Sequence, residues 1–221
     1  MLSSCSTITG NGNVTTETRN VGEFSSIDVS GGLKVYISQA SDHVVKVETD
    51  DNIQEVILTE VKNNVLHIKQ EDMTSLRATK IKIYVSAPLF KNLEASGACN
   101  IISENKISSQ EAINIGLSGS SDAKLELSTP RISLDLSGAS SVTLKGETKD
   151  VLVDGSGSSD IHAFDLLAET VNLDLSGASN ADIFASKQIE LEASGASNVR
   201  YKGNASVSKD VSGAANVRKM E

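Results

Sequence analysis

The chain has 221 residues, 38% of them hydrophobic, enough to bury a sizeable core as one domain or two. Its formal net charge of −9 argues against nucleic acid as a partner, which asks for basic patches, and no apolar run is long enough to span a bilayer. Aromatic residues are 3% and tryptophan is absent, so Ile, Leu, Val and Ala must supply the interior.

Residues 1–20 read as a lipoprotein-like tether. Leu2-Ser3-Ser4-Cys5 resembles a bacterial lipobox, in which a small residue precedes a cysteine that becomes the lipidated N-terminus. Cys5 is therefore the expected lipidation site, and the Ser/Thr/Gly/Asn-rich stretch 6–18 the expected tether. That places the protein outside the cytoplasm, held in the envelope at the outer membrane or the cell surface and touching the membrane through its lipid alone. The other cysteine, Cys99, falls among small residues of a repeat and reads as buried filler, so no disulfide framework is expected.

Residues 21–88 read as an N-terminal β region with longer, less regular strands. Ile27-Asp-Val-Ser-Gly-Gly-Leu-Lys-Val-Tyr-Ile37 runs strand, Ser-Gly corner, strand. The stretches 44–48, 56–62, 65–69 and 81–85 alternate apolar and polar residues, and Asn63-Asn64 suits a hairpin turn. Residues 70–79 read as a polar loop. This half is either a further coil with long insertions or a small sheet capping a rod.

From residue 89 to 218 one pattern recurs: LEASGACNI, IGLSGSSDA, LDLSGASSV, VDGSGSSDI, LDLSGASNA, LEASGASNV, KDVSGAANV. Its glycines are Gly97, Gly119, Gly138, Gly157, Gly177, Gly195 and Gly213, spaced 22, 19, 19, 20, 18 and 18 residues apart. A period near twenty marks a repeat architecture whose units bury their apolar faces by stacking. Aligned on the glycines, positions six, four and two before are apolar, and so are positions four and six after. Alternation of this kind is a half-buried strand on each side of a corner. Three residues after the glycine stand Asn100, Asp122, Ser141, Asp160, Asn180, Asn198 and Asn216, types that tolerate a left-handed backbone or cap a turn. The expected fold is all-β, a right-handed parallel β-helix with rungs of about 18–22 residues. Seven rungs at the interstrand spacing of about 4.8 Å make a rod on the order of 30 Å long. No stretch makes a convincing helix; 163–170 is the best candidate and reads better as a connection between rungs.

The repeated Ser-Gly is no nucleophile elbow, which needs one serine with a histidine and an acid in reach, whereas a corner is needed in every rung. His43, His67 and His162 lie in unrelated strands without metal-ligand spacing and read as surface residues. No catalytic residue and no cofactor are expected. Three residues before the glycine, facing outward, stand Glu94, Gly116, Asp135, Asp154, Asp174, Glu192 and Asp210. In register, the six acids form a line about 5 Å apart, a speculative cation row or an attraction for a basic partner, weighed against an ordinary solvated face.

The repeated hydrophobic-x-hydrophobic-Ser-Gly-Ala-Ser-Asn/Asp pattern follows an N-terminal half ending Ile81-Lys-Ile-Tyr-Val-Ser-Ala-Pro-Leu-Phe-Lys-Asn-Leu-Glu-Ala-Ser-Gly97. Together they resemble the bacterial autotransporter adhesin family with a head GIN domain, common among Bacteroidetes. The resemblance implies a β-helix-like fold, export and a role in adhesion, with no catalytic residues to carry over. The expected function is non-enzymatic binding of an extracellular glycan or protein ligand along the flanks of the rod. The alternatives are a polysaccharide-active enzyme, which the shortage of aromatic platforms disfavours, and a structural envelope component whose ends stack into homo-oligomers.

Overall fold

The computed structural model describes residues 6–221. Cys5, and with it the lipidation site, lies outside the described residues. The N-terminal part runs β1 (Ser6–Thr9), β2 (Val14–Arg19), β3 (Ser26–Ser30), β4 (Lys34–Gln39) and β5 (Val44–Asp50), then one short 3-10 helix (Asp51–Val56). It continues with β6 (Ile57–Lys62), β7 (Val65–Gln70), β8 (Thr74–Arg77) and β9 (Ile81–Ala87). The repeats give β10 (Asn92–Ser96), β11 (Asn100–Ser103), β12 (Ile107–Ser108), β13 (Ile113–Leu117), β14 (Asp122–Leu136) and β15 (Ser141–Gly155). The last are β16 (Asp160–Leu175), β17 (Asn180–Ala193), β18 (Asn198–Lys202), β19 (Ser206–Val211) and β20 (Asn216–Lys219).

These strands coil into a parallel β-solenoid. The first flank stacks the segment before each glycine: Leu93 pairs with Ile115, Ile115 with Leu134, and the ladder continues through Val153, Leu173 and Leu191 to Lys209. The second flank stacks the segment after it, from β4 through β11 and the starts of β14 to β17 into β18 and β20. Long strands bend into a third flank, where Ile107 pairs with Leu127, Leu127 with Gly146 and Gly146 with Leu166. Ile107, Leu127, Leu166, Ala168 and Ala185 close the core from that side. The helix candidate 163–170 is part of β16, where the pairing with β17 slips register between Ala163 and Ala168.

The corners explain the Ser-Gly repeat. The seven glycines hold φ between 71° and 87°, which side-chain-bearing residues rarely adopt. In each rung the amide after the glycine donates to the glycine carbonyl of the preceding rung, at 2.7 Å from Ser120–Gly97 to Ala214–Gly195. Two residues after the glycine lie buried serines, Ser121, Ser140, Ser159, Ser179 and Ser197, whose hydroxyls donate to the carbonyl three residues back at 2.7–3.0 Å. These serines close the turn. Asn100, Asp122 and their equivalents, expected to take that role, instead open the second-flank strands in extended backbone, and their side chains form an outward ladder such as Asn180–Asp160 at 2.8 Å.

The N-terminal half is joined to the rod. β3 pairs with β10 in parallel register, Ile27 opposite Leu93, and β4 pairs with β11, so 26–39 is a first rung. Of the strands that follow it, β7 and β9 run parallel to β3 and β4, whereas β5 and β6 run antiparallel to their neighbours. The β6–β7 hairpin, turning at Asn63 (φ 51°) and Asn64 (φ 65°), covers the first flank, while β5 lies antiparallel on β9 and carries β2. Stretch 70–79, expected as a loop, contains β8, and stretch 6–18, expected as a free tether, contains β1 and most of β2. β1 pairs with β8, and the Thr-rich β2 pairs with β5; β-branched threonine suits a strand at least as well as a linker. Buried Asp50 pins this layer, accepting from the Gly12 amide at 2.7 Å and the Thr79 amide at 2.8 Å.

Candidate functional site

The acidic row stands in register on the first flank. Asp135 pairs with Asp154, Asp154 with Asp174, Asp174 with Glu192 and Glu192 with Asp210, while Gly116 interrupts the line between Glu94 and Asp135. The structure extends it by one rung, since Asp28 stands opposite Glu94, and ends it at His67, whose Nδ1 lies 3.0 Å from Asp28 Oδ2. That extension was legible, because Asp28 lies three residues before Gly31. The Glu94 carboxyl leans over Gly116 and occupies the space a side chain there would need. Burial raises its pKa, and the charges of Asp28 and Asp135 add to the rise. Among the described residues no three acidic, histidine or cysteine side chains gather around one point as a metal site requires. The acids are a line and not a cage.

The second flank has a different character. Tyr36 stacks on Tyr84 with centroids 5.4 Å apart, and Lys34 and Lys82 each bring Nζ within about 5.5 Å of the Tyr36 ring. Further along, Phe164 lies beneath Arg200 and Lys202. Arg200 grips Asp182 with two 2.6 Å hydrogen bonds, and His162 stands 3.7 Å from the same carboxylate. Single-sequence reading missed both cation–aromatic groups, because their members come from different rungs and meet only when the rungs stack. His43 is structural, its Nε2 2.9 Å from the Phe24 carbonyl and its ring edge-on to Phe24. Cys99 is buried in the corner row, where the Leu33 amide reaches its sulfur.

A groove of about 790 Å³ lies on the third flank. It crosses five rungs, at Ser108, Ser128, Glu147, Leu167 and Ser186, so it runs about 19 Å along the rod. A register slip in β16 pushes Leu167 outward to 55% exposure beside half-buried Phe184. Serine and threonine hydroxyls make up much of the remaining wall, beside Gln110, Pro130 and Lys149, and both of its carboxylates are engaged: Glu147 with Lys106 at 3.0 Å and with Ser128, Glu169 with Lys187 at 2.7 Å. The Lys106 and Ser128 hydrogen bonds hold the Glu147 pKa below the usual carboxylate value. A retained carboxylate of this kind accepts hydrogen bonds and does not serve as a general acid near neutral pH.

The comparisons agree with this architecture. The model of the family described as "Putative auto-transporter adhesin, head GIN domain" matches residues 23–205. A crystal structure described as a "putative adhesin" from Bacteroides fragilis is 21% identical, covers 96% of this chain and 100% of its own, and has a TM-score of 0.87. One from Parabacteroides distasonis described as a "putative lipid binding protein" is 21% identical over 97% and 100% of the two chains, with a TM-score of 0.80. A second from that organism, a "putative adhesin", is 24% identical over 97% and 100%, with a TM-score of 0.78. A comparison with curated proteins gave no match. At these identities the crystal structures speak for the fold, and the family match carries the assignment: this chain belongs to the auto-transporter adhesin head GIN domain family.

Proposed function

We propose that this protein is a non-catalytic binding protein of the cell surface that holds an extended extracellular ligand, a glycan or a protein segment, along its third-flank groove. The observation that carries the reading is the groove itself, crossing five rungs with hydroxyls along its wall and one protruding apolar side chain, Leu167, near its middle. An extended ligand meets one rung after another along the groove, so many weak contacts add along its length. Family membership and neighbours named as adhesins support binding over chemistry. The engaged state of Glu147 and Glu169, the two carboxylates of the groove, supports it as well. Export and lipid attachment at Cys5 belong to the same proposal, and metabolic labelling with a clickable palmitate that is lost in Cys5→Ala tests the anchor.

The decisive test is a glycan-array and matrix-protein screen with the wild-type chain, repeated with Leu167→Asp and Asp154→Asn. Binding weakened at least tenfold by the groove variant and unchanged by the first-flank variant supports the proposal. Equal loss with both, release of shortened oligosaccharides, or no binding to any probe would sink it.

A further inference from the structure

Inward-facing columns run the length of the rod. On the first flank Ile27, Leu93, Ile115, Leu134, Val153, Leu173 and Leu191 succeed one another, all buried. The next position, opposite Leu191 on β19, is Lys209. On the second flank Ala163, Ile183 and Tyr201 succeed one another, and the next position, opposite Tyr201 on β20, is Lys219. The pairing register sets the direction. Lys209 shares its side of β19 with Val207 and Val211, which continue the apolar columns of Ile189 and Ala193, while its neighbour Asp210 continues the outward acidic row. Lys219 stands in the same relation to Val217 on β20.

We propose that Lys209 and Lys219 act as a paired stop, forbidding this end of the rod from stacking on a second copy of the chain. β19 and β20 each have one ladder partner among the described residues, β17 and β18, so their other edges present unpaired backbone groups. Half-buried Val207, Ala215 and Val217 and exposed Val211 lie beneath those edges. Unpaired edges over apolar side chains are a template for further strands, and an inward-pointing charge is a known way to blunt one. A lysine suits the place because its methylenes cover the row below while the ammonium reaches water past the end. A strand laid on top would bury both ammonium groups among apolar side chains, with no inward acid on β17 to β20 to receive them. The barrier applies equally to any strand offered to that edge. At the opposite end the stack closes differently, with β6 antiparallel to β7 over the first flank and the Thr-rich β2 on β5 over the second.

The test is sedimentation velocity on the whole chain at tens of micromolar, comparing wild type, Lys209→Leu/Lys219→Ile and Lys209→Glu/Lys219→Glu. Wild type and the glutamate pair are expected to remain single species of monomer mass. The apolar pair is expected to form dimers or longer stacks, with slowed amide hydrogen exchange confined to β19 and β20. Insolubility of the apolar pair beside a soluble glutamate pair counts as the same association. A folded apolar pair that sediments as wild type overturns the proposal, as does association of the glutamate pair, or a wild type already paired through these strands.

Discussion

Gly138 sits directly over Gly119, so close that a Cβ on Gly138 would lie 2.5 Å from the Gly119 carbonyl oxygen. The Ala139 amide donates to that same oxygen at 2.7 Å, so the approach cannot relax without breaking the corner ladder. Gly138→Ala therefore faces backbone strain at φ 77° and a steric conflict together. Each costs about 1–2 kcal/mol or more, for a total of roughly 3 kcal/mol. A fall in thermal midpoint of about 6–12 °C is expected. Gly12 has a similar φ of 84° but nothing within 4 Å, so Gly12→Ala should cost only the strain, about 1–2 kcal/mol. Equal midpoints for the two variants would show that stacking adds nothing.

Ser140 tests the buried serine row. Its hydroxyl donates to the Ser137 carbonyl at 2.7 Å, and Ser140 itself is buried. Ser140→Ala leaves that acceptor short of a partner and should destabilise by about 1–2 kcal/mol in urea unfolding. The exposed neighbour Ala139 replaced by Ser should change stability by less than about 0.5 kcal/mol.

Glu94 and Asp50 respond to pH in opposite directions. Burial and two neighbouring acids raise the Glu94 pKa, so the folded state pays for its charge at neutral pH and ceases to pay as pH falls through that raised pKa. Glu94→Gln should raise the thermal midpoint at pH 7, with the gain fading below the ordinary glutamate pKa of about 4.3. A gain of equal size at pH 3.5 and pH 7 would mean the effect is not electrostatic.

For Asp50, burial alone would raise the pKa, but the amides of Thr79 and Gly12 outweigh it and the result is a lowered value. Its stabilisation is complete above the ordinary aspartate pKa of about 3.9 and drains away as pH falls through the depressed folded value. Asp50→Asn should lower the midpoint at pH 7 and flatten its acid dependence, with loosened protection of β1 and β2 amides in hydrogen exchange. An acid dependence identical to wild type would remove Asp50 from the cause.

The corner glycines made the rod legible before any coordinates. One residue type with one permitted geometry fixed the register, and simple counting then found the inward columns and the acids outside. Counting worked less well where geometry is not tied to a residue type. The third flank was missed because its pairing slips at Leu144 and again after Ala163, so Leu166 and Ala185 share no constant distance from a glycine. β1 and β8 were missed because each carries a single apolar residue, Ile8 and Leu76, too few to mark a strand by sequence alternation, and each exists through the other. The Tyr36–Tyr84 stack joins residues 48 positions apart across the inserted strands, a contact that no local pattern encodes.

Each corner meets the one beneath it through the same glycine carbonyl and the same amide, so a rung is an interchangeable unit. Removing residues 139–157 would join Gly138 to Ser158 and place a copy of the deleted geometry on the rung below. The lineage can thus change its reach in quanta of about 4.8 Å by duplicating or losing single coils, with the cap and the terminal lysines untouched. Length in this molecule is an evolvable ruler, graduated in rungs.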